Sequence, residues 1–118
     1  MKTRLGVSFE IDFAHTLSGH PKCGKPHGHT SQIIVEVQGD VKKGASYEEN
    51  MVIEFDKMKK ICWETIQELD HRNLNELFDF PTSENIAAWI FEHLKDKVPI
   101  HSVKFFEGTN KYCEITSD

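Results

Sequence analysis

A chain of 118 residues, 38% hydrophobic and 28% charged, has material for one hydrophobic core and little for a second. Fourteen basic against nineteen acidic side chains leave a net charge of −5, which argues against nucleic acid as a partner. No apolar run approaches a membrane span and no charged-then-apolar leader opens the chain, so a membrane partner is not expected. Cys23, Cys62 and Cys113 are odd in number and irregularly spaced, which disfavours a disulfide framework and fits a reducing, cytoplasmic location.

Leu5, Val7, Phe9, Ile11 and Phe13 alternate with Gly6, Ser8, Glu10, Asp12 and Ala14, a period of two that predicts a half-buried strand. The stretch FAHTLSGHPKCGKPHGHT, from position 13 to 30, then holds four of the seven histidines and one cysteine. Ile33, Val35 and Val37 predict a second strand that ends at the Gly39-Asp40 turn, and the polar residues 40–50 read as a loop. From Asp56 onward Met58, Ile61, Cys62, Thr65, Ile66 and Leu69 recur at spacings of three and four, one face of a helix. Pro81-Thr82-Ser83-Glu84 announces a second helix, with Thr82 or Ser83 as its cap. Ile86, Trp89, Ile90 and Leu94 form its apolar stripe, and Pro99 stops it. Two short strands around 103–106 and 111–115 are joined by Gly108-Thr109-Asn110. The order ββααββ, without linker or repeat, predicts one α+β domain over residues 1–118: a four-stranded antiparallel sheet with two helices on one face. Its free edges invite assembly into a homo-oligomer.

His15 continues the odd-numbered face of the first strand, and His27 and His29 share the parity of Ile33 and Val35. Residues two apart on an extended chain point to one side, so three imidazoles can converge and leave a fourth position open, the pattern of a catalytic zinc site. Gly28 between two of them lets the backbone bend without crowding the ion. A structural zinc held by His20, Cys23, His27 and His29 is the competing arrangement; Pro21, Pro26 and the lack of a second metal-type pair disfavour it, leaving His20 as a solvated loop residue. Taken singly, Cys23 reads as a small buried side chain, Asp70-His71 as a helix end and Glu107 as an edge charge. Cys62 and Cys113 read as packing residues, Trp63 and Trp89 as core or interface aromatics, and Lys42-Lys43 and Lys59-Lys60 as solvated faces, with lysines near the site able to meet a triphosphate.

The histidine-rich stretch, followed in order by MVIEFDKMKK, LDHRNLNE, PTSENIAAWI and VKFFEG, resembles the 6-pyruvoyl-tetrahydropterin synthase superfamily from about residue 5 to 115. The short spacing Cys23-x3-His27-Gly28-His29 is similar to the branch of 6-carboxy-5,6,7,8-tetrahydropterin synthases of the 7-deazaguanine (queuosine or archaeosine) pathway; pyruvoyl synthases of animal type carry a longer gap. The resemblance implies a tunnelling fold, ββααββ subunits whose sheets join into a barrel, usually a hexamer with active sites at subunit boundaries. It implies Zn2+ held by His15, His27 and His29, a catalytic Cys23, and a catalytic pair Asp70 and His71. It also implies a pterin anchored by Glu107 in a pocket lined by Thr82, Ser83 and Glu84. Two positions depart from the pattern. Glu54 stands where Asp is more usual, touching only the helix start, and Gly108 stands where Thr is usual, loosening one wall of the pocket.

The implied reaction takes 7,8-dihydroneopterin triphosphate to 6-carboxy-5,6,7,8-tetrahydropterin, with loss of acetaldehyde and triphosphate. Zinc suits side-chain hydroxyls whose protons must leave, a cysteine thiolate suits removal of an acidified C–H, and a His oriented by Asp suits proton transfer near neutral pH. Glu107 can accept two hydrogen bonds from the guanidine-like edge of the ring. Consecutive residues cannot point the same way on a helix, so Asp70-His71 is expected at or past a helix end. Another pterin side-chain lyase, such as a pyruvoyl synthase, is the second reading, and a non-catalytic zinc-stabilised oligomer that binds a pterin or purine is the third.

Overall fold

The period-two patterning becomes two long strands, β1 (Thr3–His15) and β2 (His27–Gly39), in the computed structural model, which describes residues 1–22 and 24–117. They pair antiparallel along their whole length, from Thr3 opposite Gly39 to His15 opposite His27. Alternation puts Val7, Ile11 and Phe13 on one face with Ile33, Val35 and Val37, and all six are buried. The even-numbered face carries Ser8, Glu10 and Asp12 opposite Ile34, Gln32 and Thr30. β4 (Ile100–Glu107) pairs with β2, with a bulge between Glu36 and Val37, and β5 (Lys111–Thr116) closes a hairpin with β4.

Two helices cover the odd-numbered face. α1 (Phe55–Ile66) starts at Glu54, whose carboxylate accepts the N–H groups of Asp56 and Lys57 at 3.1 Å each. It buries Met58, Cys62, Thr65 and Ile66. α2 (Ser83–Leu94) starts at Thr82, whose hydroxyl accepts the Asn85 N–H at 3.2 Å, and buries Ile86, Ala87, Ile90, Phe91 and Leu94. These stripes and the inward face of the sheet form one hydrophobic core.

The structure revises three expectations. Among the described residues the sheet has five strands rather than four, with a short β3 at Arg72–Asn73 giving the order β3-β1-β2-β4-β5. The added strand, β3 (Arg72–Asn73), runs parallel to β1 beside Phe13 and Ala14, so the sheet is not wholly antiparallel. Two residues carry no periodicity to read; tertiary hydrogen bonds make this strand. The His71 N–H donates to the Asp12 carbonyl at 2.6 Å, and the Asp12 N–H donates to Asp70 Oδ1 at 2.9 Å. The first helix ends at Ile66, and Gln67–Leu69 is a single 3₁₀ turn that still buries Leu69. The loop after β2 contains a similar turn at Glu48–Asn50. Among the described residues no helix is long and apolar enough to cross a membrane.

Candidate functional site

At the end of the core face, where β1 finishes and β2 begins, three imidazoles come together. His15 lies opposite His27 in the ladder and His29 lies opposite Phe13, so all three project from the odd-numbered face. Their ring centroids are 4.6 Å apart for His15–His27, 4.9 Å for His15–His29 and 4.6 Å for His27–His29, with the planes steeply inclined. His15 Nδ1 donates to the Pro81 carbonyl and His27 Nδ1 to the Lys25 carbonyl, each at 2.8 Å. Those bonds hold the proton on Nδ1 and leave Nε2 as a lone-pair donor. The Nε2 atoms of His15, His27 and His29 are all buried, and none has a hydrogen-bond partner among the described residues. One ligand nitrogen from each lies within 4.8 Å of the other two. Buried polar atoms without partners are costly, and three aimed at one point fit a cation with nitrogen ligands.

The electrostatics agree. Burial is the largest influence on His15 and His29 and lowers the pKa of both below the ordinary imidazole value. The hydrogen bond to Pro81 opposes this at His15, while His15 and His27 reinforce it at His29. Neutral rings near pH 7 are what metal ligation needs. Phe13 packs its ring against His15 and His29, at 5.3 and 5.6 Å between centroids, and closes the floor of the site.

Glu107 stands beside this cluster at the end of β4, close enough for its charge to act on His15 and His29. It is on the same face as Phe105, two residues earlier. The Ser83 hydroxyl, at the first turn of α2, donates to Glu107 Oε2 across 3.5 Å. Ser83, Glu84, Glu107, Lys111, Tyr112 and Cys113 line a small cleft of about 190 Å³. The Thr82 hydroxyl accepts the Asn85 N–H as the helix cap. Gly108, at φ 69°, turns the chain in the left-handed region and opens the β4–β5 hairpin, a conformation that a Thr would adopt only with strain.

Asp70 and His71 fall past the end of α1 and its 3₁₀ turn, as their adjacency required, with His71 in the left-handed region at φ 57°. His71 Nδ1 lies 3.0 Å from Asp70 Oδ2. Its Nε2 lies 4.0 Å from Asp12 Oδ2, and Asp12 in turn accepts a hydrogen bond from the Thr30 hydroxyl. Asp12 and Thr30 belong to the even-numbered side of the sheet, opposite the imidazole cluster. The fold therefore brings His15, His27, His29, Glu107 and Ser83 together, and gathers Asp70 and His71 separately. Cys23 lies outside the described residues. His20 accepts the Lys22 N–H on Nδ1 at 3.1 Å and is exposed.

Two supporting residues escaped the sequence reading. Asn75 accepts the Thr16 N–H at 2.8 Å and donates to the Thr16 carbonyl at 3.1 Å, which pins the chain just after His15. Asp12 shows only as a polar residue in an alternating strand, and its link to Asp70 and His71 spans 58 residues. No local signal could have found either.

Comparison with known proteins is consistent with this architecture. The family described as 6-pyruvoyl tetrahydropterin synthase matches residues 4–118. A protein of Archaeoglobus fulgidus with the provisional name 6-carboxy-5,6,7,8-tetrahydropterin synthase is 40% identical over 112 residues, covering 94% of this chain and 93% of that one. The dihydroneopterin monophosphate aldolase of Pyrococcus furiosus is 40% identical over 119 residues, covering 98% of both. Among solved structures, the 6-pyruvoyl tetrahydropterin synthase of Caenorhabditis elegans superimposes with a TM-score of 0.86 at 24% identity, over 100% of this chain and 97% of that one. That likeness is one of fold.

Proposed function

The chain belongs to the 6-pyruvoyl tetrahydropterin synthase family, and on that premise we propose that it is a zinc-dependent lyase of 7-deazaguanine (queuosine or archaeosine) biosynthesis. Its reaction converts 7,8-dihydroneopterin triphosphate and one water to 6-carboxy-5,6,7,8-tetrahydropterin, acetaldehyde and triphosphate. The observation that carries this reading is the convergence of three buried, unpartnered Nε2 atoms beside Glu107. His15, His27 and His29 would hold Zn2+, which when bound supplies Lewis acidity toward the hydroxyl oxygens of the substrate side chain. Glu107 accepts hydrogen bonds from the guanidine-like edge of the pterin, with Ser83 orienting its carboxylate and Glu84 lining the cleft. Cys23 serves as the base that removes the acidified C–H proton of the substrate, and His71, oriented by Asp70, moves a proton through Nε2.

Within a single subunit the Asp70-His71 corner faces away from the imidazole cluster, so the working site takes that corner from a neighbouring subunit. Free backbone supports assembly: among the described residues β1 has a ladder partner on its outer side only at Phe13 and Ala14, and β5 has none on its own. We therefore take the active form as a homo-oligomer, a hexamer whose sheets join into a barrel.

A second reading has its own support. The Pyrococcus furiosus relative matches as closely as the Archaeoglobus one, and an aldolase would use the same residues for a retro-aldol cleavage of dihydroneopterin monophosphate. One experiment separates the two. Zinc-loaded protein is incubated with each dihydroneopterin phosphate in turn, and the products are identified by mass. Carboxytetrahydropterin with acetaldehyde from the triphosphate supports the first reading; cleavage of the monophosphate alone replaces it with the second. Binding without turnover of either leaves a zinc-stabilised pterin-binding oligomer.

A further inference from the structure

We propose that Asp12 is a positioning residue for His71, a second carboxylate that acts near the ring nitrogen not committed to Asp70. The inference rests on the reading above, in which His71 moves a proton. The imidazole stands between two acids: Nδ1 is at hydrogen-bond distance from Asp70, 3.0 Å, and Nε2 is 4.0 Å from Asp12 Oδ2. With Nδ1 committed to Asp70, Nε2 is the nitrogen left to exchange a proton with substrate. Four ångströms is too long for a hydrogen bond, so Asp12 does not compete for that proton. It is short enough for its charge to attract the positive ring that exists once Nε2 has taken a proton.

Asp12 is itself held for this task. Its carboxylate accepts the hydroxyl of Thr30, its partner across the β1–β2 ladder. Its backbone docks the corner from both sides, donating N–H to Asp70 Oδ1 and accepting the His71 N–H on its carbonyl. His71 sits in a left-handed conformation at φ 57°, strained for a residue other than glycine, and these bonds keep it there. One residue thus sets the backbone of the catalytic corner and flanks its ring.

The substitution Asp12→Asn removes the charge while keeping the size, both main-chain bonds and an oxygen for Thr30. On whichever dihydroneopterin phosphate the zinc-loaded protein turns over, kcat should fall about fivefold with KM little changed, the scale of one partly solvated ion pair. Asp12→Glu should recover part of the loss. The double variant Asp12→Asn with His71→Ala should be no slower than His71→Ala alone, because a residue that acts through His71 has nothing left to position. Thr30→Val, which loosens the carboxylate without touching the corner, should lose kcat in the same direction by less, and it serves as the test if Asp12→Asn does not fold. Native kcat in these variants beside an inactive His71→Ala overturns the inference alone, as do losses that simply multiply in the double variant. A fully active His71→Ala, or turnover of neither phosphate, overturns the reading on which it rests.

Discussion

His15 and His27 each commit Nδ1–H to a carbonyl, those of Pro81 and Lys25, and this choice of tautomer turns their Nε2 lone pairs to the same point as that of His29. If three nitrogens and no fourth protein ligand hold the ion, purified protein should carry about one zinc per subunit, the stoichiometry of a single open site. His27→Ala should lose it, whereas His20→Ala and Cys23→Ala should keep it; elemental analysis reads all four proteins. Zinc lost with the fold from Cys23→Ala would instead favour the four-ligand arrangement with His20. Cys23→Ala should fold and bind pterin yet lose turnover by at least about a hundredfold, the lower end for removing a proton-transfer group. Glu107→Ala should fail differently, with KM rising far more than kcat falls, because in the proposed reading its carboxylate orients the ring and is not asked to move a proton. Steady-state kinetics on the two variants distinguish these outcomes.

The elements that carry these residues were largely legible in the sequence, and their departures are instructive. Glu54 caps α1 with both carboxylate oxygens, as well as an Asp could, so its difference from the family pattern has no consequence for the site. Glu54→Ala should cost about 1 kcal/mol, the usual value of an N-cap, and Glu54→Asp very little. Thermal unfolding checks both. On the buried face of α1, burial pushes the Cys62 thiol up to about 11 from its ordinary 9.0. The neutral thiol is the form the fold favours, so its contribution is present below about pH 9 and is lost as pH rises through about 11. The stability advantage of the native protein over Cys62→Ala should therefore narrow across that interval in denaturant titrations at stepped pH. An unchanged gap would mean that the thiol ionises as easily in the folded state as in the unfolded one. β3 was not legible at all, since a two-residue strand exists only because Asp12 and the Asp70-His71 corner bond across 58 residues.

As a whole the molecule is long, 57 × 25 × 24 Å, with a radius of gyration of 15.9 Å. A compact domain of this length would have a radius of about 13.5 Å. The excess comes with long strands whose outer edges, on β5 and on most of β1, are unpaired among the described residues, and with apolar Val41, Met51 and Phe55 exposed in a groove beside Thr3 and Leu5. Such a shape leaves edges and apolar surface that the proposed homo-oligomer would cover. Light scattering should show an oligomer at working concentration, and a stable monomer would contradict this. A functional test mixes two inactive variants, Cys23→Ala and His71→Ala. If a working site draws on two subunits, hybrid oligomers regain part of the activity; if one subunit supplies both residues, mixing regains nothing.

Read alone, the sequence determined the two amphipathic helices, the long alternating strands and the parity that sets His15, His27 and His29 on one face, because all of these follow from periods of 3.6 and 2. It could not determine which ring nitrogen each histidine presents, since Pro81 and Lys25 choose the tautomer and Pro81 is brought to His15 only by the folding of α2 onto the sheet. Nor could it show that Asp70 and His71 dock against Asp12, on the side of the sheet away from the imidazoles. Periodicity is a property of sequence neighbours; tautomer, second carboxylate and facing side are properties of groups that meet only once the core has formed.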